Sequence, residues 1–174
     1  MQPPLVSAIA WAVFAGGLAA AAVWDIRTRR VPNGLNLGLA GSGLVVALAH
    51  DAPLASLLGA LTGLGLLLIP FARGWVGAGD VKLLAAVGAW LGVERTVYCA
   101  LAGAVFGGAL AVVFLVRLGK EYRRSVATNL RLALYIRSVP TVEERPAEHC
   151  PPYALAIGLG AVATALAFGG PGVV

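Results

Sequence analysis

The sequence predicts an all-α membrane protein, a bundle of six transmembrane helices in one domain, and three observations carry that prediction. Of its 174 residues 59% are hydrophobic and 12% charged, and the mean hydropathy is +0.86; a soluble domain carries about 25% charged residues. The apolar residues come in long blocks separated by short charged clusters, without the strand alternation of an outer-membrane barrel. Small residues recur inside the blocks, as in GALTGLGLL and GAVFGGALA, which suits helices packed closely in lipid, where glycine and alanine let backbones approach.

Each element follows from the requirement of about 20 apolar residues to cross about 30 Å of hydrocarbon. The first block, about 5–24, follows MQPPLVSA, which has no Lys or Arg. It lacks the basic start of a cleavable signal and is expected to remain as a spanning helix. The second and third blocks, about 33–49 and 54–72, are of spanning length. The fourth, 81–93, would reach only about 20 Å at a rise of 1.5 Å per residue. It is expected to begin below the cytoplasmic interface, with Gly77 and Gly79 letting the preceding turn pack within the bundle. The fifth block, about 96–118, is full length.

Residues 119–150 are the longest polar segment, expected as a cytoplasmic loop. Within it Val126, Leu130, Ala133 and Leu134 share one helical face, while Arg123, Arg124, Arg131 and Arg137 supply positive charge. This fits either a helix lying on an anionic membrane surface or an ordinary solvated basic loop. Pro151 and Pro152 then suit the first turn of a sixth span, about 152–168.

Orientation follows from the basic residues. Under this topology Arg27, Arg29, Arg30, Arg73, Lys82, Arg117, Lys120, Arg123, Arg124, Arg131, Arg137 and Arg145 fall on one side and Arg95 alone on the other. The positive-inside rule puts the charged side in the cytoplasm and both termini outside. The formal charge of +5 does not point to nucleic acid, because the basic residues lie between apolar blocks and form no free-standing basic face. Cys99 and Cys150 make neither a CxxC pair nor a zinc spacing, and His50 and His149 lie in loops on opposite sides, so no metal site or histidine nucleophile is expected.

Of the eight acidic residues, Asp25 and Asp80 alone lie at cytoplasmic span ends with no loop of their own. An ionisable group at the edge of hydrocarbon is a functional candidate. The plain alternatives are that Asp25 pairs with Arg29 one turn on and that Asp80 receives the free N–H groups opening span four. In the same spirit, Lys82 is readable as an anchor reaching the interface, Asn33 as the cap of span two after Pro32, and Trp24, Trp75 and Tyr153 as interfacial aromatics.

The stretches around the aspartates are DIRTRRVPN and GAGDVK. Here the chain resembles the type IV prepilin peptidases, aspartic proteases of the bacterial inner membrane. The family pattern D-x-[KR]-x-x-x-[IV]-P-N corresponds to Asp25, Arg27, Val31, Pro32 and Asn33, and GxGDxK to Gly77, Gly79, Asp80 and Lys82. PPYALAIG, 151–158, is similar to the opening of the family's last helix. The resemblance implies Asp25 and Asp80 as catalytic residues and Arg27, Pro32, Asn33, Gly77, Gly79 and Lys82 as supporting ones. It further implies prepilin and pseudopilin substrates, contact with the lipid bilayer and other pilus assembly proteins, and no cofactor. The paired CxxC motifs of the larger members' methyltransferase segment are missing, so the chain looks like a short, peptidase-only member similar to those serving Flp-type pili.

The chemistry is compatible. An ionised carboxylate takes a proton from water while a protonated one donates to the scissile carbonyl, and two neighbouring carboxylates share one proton because both do not easily ionise together. Helix polarity favours Asp80, at a helix N-terminus, as the resting base, although Arg27 and Arg29 beside Asp25 oppose that distinction. Two alternatives stay open: a presenilin-like GxGD protease, which would place a YD motif inside a span where this chain has WDIRTRR, and a small transporter using the aspartates as a proton or cation relay.

Overall fold

A computed structural model describes residues 4–117 and 153–172. The described residues form five helices: α1 (Pro4–Thr28), α2 (Asn33–Ala49), α3 (Pro53–Ala72), α4 (Ala78–Arg117) and α5 (Tyr153–Ala167). The predicted membrane-surface helix within 119–150 lies outside the described residues, as do Cys150 and His149.

Local sequence explains most of the boundaries. Beyond the end of α1, Arg29 adopts the left-handed conformation (φ 54°) while its N–H reaches back to the Asp25 carbonyl at 2.8 Å, the geometry of a helix C-cap. Thr28 Oγ1 donates to the Trp24 carbonyl at 2.9 Å. Pro32 then takes the extended N-cap position of α2. This corrects the capping role expected for Asn33: that residue is already the first of the helix. Pro53 opens α3 at a position where its missing N–H costs nothing.

Helix α4 is 40 residues long and would extend about 60 Å if straight. It is broken at Gly92, whose φ of 73° and ψ of −177° are open essentially to glycine alone. The neighbours of its two arms show how they run. Arm 78–91 is antiparallel to α3, since Gly59 lies on Gly88 and Gly63 on Leu84. It is also antiparallel to α1, where Phe14 meets Trp90 with ring centroids 5.3 Å apart. Arm 93–117 is antiparallel to α5, through Gly103 against Ala156 and Gly107 against Tyr153. Because α5 itself runs against α1, with Ala154 beside Asp25 and Gly170 near Trp11, the chain direction reverses at Gly92.

The helices fit the expected all-α membrane protein, but length and composition alone do not carry the count to six spans. Among the described residues three helices are long and apolar enough to cross a membrane, namely α1 from Ser7, α3 and α4. Helix α2, at 17 residues, lies at the lower limit of the spanning range of about 17–25, and α5, at 15, falls below it. The fourth and fifth apolar blocks, expected as separate spans, correspond to the two arms of α4, which meet at Gly92 and run in opposite directions. Apolar blocks can be counted from sequence, but the backbone bend that joins two of them at a single glycine cannot.

The packing places arm 78–91 at the centre. Leu83, Leu84, Val87 and Trp90 are fully buried, and Trp90 Nε1 donates to the Leu39 carbonyl at 2.7 Å. Ser56 Oγ donates to the Ala89 carbonyl at 2.8 Å. Leu37, Val45, Leu61 and Ile69 instead point outward. Large apolar side chains outside and small residues at helix contacts are the arrangement lipid-exposed helices require.

Candidate active site

The C-terminal turn of α1, the first turn of α2 and the first turn of α4 converge at one end of the bundle around a cavity of about 350 Å³. Asp25, Arg29, Arg30, Val31, Asn33, Gly77, Ala78, Gly79, Asp80 and Lys82 line it. Asp25 and Asp80, 55 positions apart in the chain, thus face a common space, and their charges interact there.

Asp25 is 8% exposed. Its Oδ2 accepts the backbone N–H of Ala154, in the first turn of α5, at 3.1 Å, and the Arg29 guanidinium attracts the same carboxylate. Asp80 lies in the first turn of α4, which begins at Ala78 and so three residues before the span start expected at 81. The Gly77 backbone hydrogen-bonds the Asp80 carboxylate, and the Asp80 N–H returns to the Gly77 carbonyl at 3.1 Å. Gly79 packs against Val31. Both aspartates consequently sit at helix N-termini: Asp80 at that of its own helix, Asp25 at that of α5. The polarity contrast that favoured Asp80 as the base considered only the helix carrying each residue, and the fold largely removes it.

The supporting residues divide. Lys82 Nζ donates to Asn33 Oδ1 at 2.8 Å, so the two form a cross-helix link at the cavity wall in place of a free anchor and a helix cap. Gly77 and Gly79 line the cavity beside them. Pro32 shapes the backbone before α2, where its carbonyl accepts from Leu35 and Asn36. Arg27 does not face the aspartates: it lines a separate groove of about 560 Å³ with Trp24 and Thr28 on the outer side of α1.

Two residues near the site carried little signal in the sequence. Tyr153, expected as an interfacial aromatic, packs beside Gly107 and lies within electrostatic reach of Asp80. Asn36, 4% exposed, donates from Nδ2 to the Gly79 carbonyl at 3.3 Å, while its buried Oδ1 has no partner among the described residues. An unmet buried acceptor costs about 1–3 kcal/mol. The available hint was a second asparagine, one turn after Asn33, in an otherwise apolar block. Among the described residues no three His, Cys, Asp or Glu cluster as a metal site.

A sequence profile of the type IV leader peptidase family matches residues 12–112, a stretch that carries both aspartates and all the residues lining the cavity. This chain belongs to the type IV leader peptidase family. Two similar relatives within reach of that assignment are proteins named prepilin leader peptidase/N-methyltransferase from Burkholderia pseudomallei strains 1026b and K96243. Each is 36% identical over 119 residues, covering 63% of this chain and 38% of the relative. The matched stretch is thus well under half the length of those larger proteins. No solved structure matches the chain. Membership of the leader peptidase family gives the paired acids a chemical context: a cavity whose two carboxylates come from different helices, walled by the Lys82–Asn33 link.

Proposed function

We propose that this chain is an aspartic endopeptidase that removes the leader peptide from type IV prepilins, of the Flp type, at the cytoplasmic face of a bacterial inner membrane. The observation that carries the reading is the meeting of Asp25 and Asp80 in one cavity at one end of an apolar bundle. Water between the carboxylates loses a proton to the ionised one as its oxygen attacks the scissile carbonyl carbon. The protonated carboxyl gives its proton to the carbonyl oxygen, and collapse of the neutral tetrahedral adduct returns a proton to the departing amine. A prepilin, with a charged leader in water and a hydrophobic helix in the bilayer, would present its junction at the level of such a helix-end site.

The purified protein, in detergent and without an ion gradient, is expected to cut a synthetic prepilin at the leader junction, read by mass spectrometry of both products, with or without EDTA. A protein that transports protons or cations and leaves the peptide whole would reverse the reading.

The proposal includes six crossings, with α2, α5 and both arms of α4 each passing through the membrane and both termini periplasmic. Arm 78–91, about 21 Å long, would need a wet recess or locally thinned bilayer at the aspartate end. Reporter fusions after Arg30 and Arg73 are expected to read cytoplasmic, and those after Asp51 and Glu94 periplasmic, in keeping with the distribution of basic residues. A periplasmic signal after Arg73 would place the two aspartates on opposite faces and exclude a shared site.

A further inference from the structure

Asn36 is a polar side chain in an apolar helix, 4% exposed, with its amide directed at one backbone atom of the GAGD turn. We propose that Asn36 is a positioning residue for Asp80: by gripping the Gly79 carbonyl it fixes the peptide plane from which Asp80 departs, and so the direction in which that carboxylate faces Asp25.

The geometry limits what else this side chain does. A carbonyl accepts hydrogen bonds only, so the atom facing Gly79 is Nδ2, and the contact fixes the amide orientation. Oδ1 then points to a place where no described group donates to it. A leucine would fill the same position without that unmet acceptor, so the amide is a poor choice for packing; its gain is the link to Gly79. One turn earlier on the same helix, Asn33 accepts from Lys82. The two links bracket Asp80, one tied to the residue before it and the other to the second residue after it. Gly77 and Gly79 leave the preceding turn without side-chain restraint of its own, and the connection from α2 supplies that restraint. A displacement of about 1 Å at a reacting group is enough to cost a hundredfold in rate.

The test compares Asn36→Thr with Asn36→Val, which match in shape and differ in a hydroxyl donor, together with Asn36→Leu, which keeps the branching at Cγ without polar atoms. Its kinetic arm rests on the peptidase reading above. With a prepilin peptide, Asn36→Val and Asn36→Leu are expected to lower kcat by about 10- to 100-fold while KM stays within about threefold, because placement of the acid is lost and substrate binding is not. Asn36→Thr is expected to recover at least about tenfold over Asn36→Val. Hydrogen exchange, independent of any substrate, is expected to show faster exchange at the Asp80 and Val81 amides in Asn36→Val and protection retained in Asn36→Thr. Thermal unfolding should leave Asn36→Leu at least as stable as wild type; should that variant fail to fold, the Thr and Val pair decides. Equal kcat in Thr and Val variants, or unchanged exchange at Asp80 in the Val variant, overturns the proposal. If wild type cuts no prepilin, the peptidase reading fails and the exchange result alone decides the role of Asn36.

Discussion

Asp25→Asn and Asp80→Asn are each expected to abolish leader cleavage, a fall of roughly 100- to 10,000-fold or more for each acid–base group removed. The double variant is expected to lose little further, because groups acting as a unit are strongly non-additive. Neither change alters side-chain volume. An asparagine at position 25 still offers an oxygen to the Ala154 N–H that Asp25 now accepts at 3.1 Å, and an asparagine at 80 does the same for the Gly77 backbone. Protein level and membrane insertion should therefore match wild type, and quantitative immunoblotting of membranes beside the cleavage assay checks both. Asp51→Asn and Glu94→Gln, exposed acids at the other end of the bundle, should leave cleavage intact. Cleavage retained by either single variant at a normal level would remove the two-carboxylate mechanism and put the transporter reading ahead.

Gly59→Val and Gly88→Val are expected to produce the largest losses of stability. A Cβ at Gly59 would fall on the Gly88 carbonyl and 2.7 Å from Gly92 Cα, and a Cβ at Gly88 on the Gly59 carbonyl. The obstruction is backbone on both sides, so no rotamer change relieves it. Helices α3 and α4 would have to separate just where Gly92 bends the chain. Overpacking typically costs about 1–3 kcal/mol, and a rigid backbone contact belongs at the upper end or beyond. Gly38→Ala provides the contrast. Nothing lies within 4 Å of its added Cβ, and alanine gains about 1 kcal/mol of helix propensity over glycine. Unfolding in detergent followed by circular dichroism should show a midpoint far below wild type for Gly59→Val and one equal or higher for Gly38→Ala. A Gly59→Val midpoint at the wild-type value would refute the close α3–α4 contact.

Much of the architecture was legible because it follows from transfer energies along the chain. The apolar blocks ending near residues 49 and 72 match α2 and α3 to within a residue or so. Residues that change the chain's direction by conformation were less visible. Gly92 looked like one more glycine in an apolar run, and nothing local distinguishes its positive φ from the helical values of Gly88 or Gly103. Arg29 ends α1 without the usual glycine. The candidate site was partly legible for the same reason: Asp25 and Asp80 stand out because charge beside hydrocarbon is costly, whereas Asn36 and Tyr153 are ordinary residue types whose place beside the cavity depends on what lies across the interface.

By itself the sequence determined that this protein is built of apolar helices, where charge is tolerated along the chain, and that two aspartates sit in motifs of the type IV leader peptidase family. Those properties are carried by composition, short-range order and local pattern. The tertiary structure alone decided that Ala154, 129 positions from Asp25, supplies its hydrogen bond, that Lys82 closes on Asn33 while Arg27 faces away, and that Asn36 donates to the Gly79 carbonyl. Such contacts depend on how helices rotate and approach, which is set by the sum of many small packing terms between residues far apart in the chain, and no single segment contains that sum.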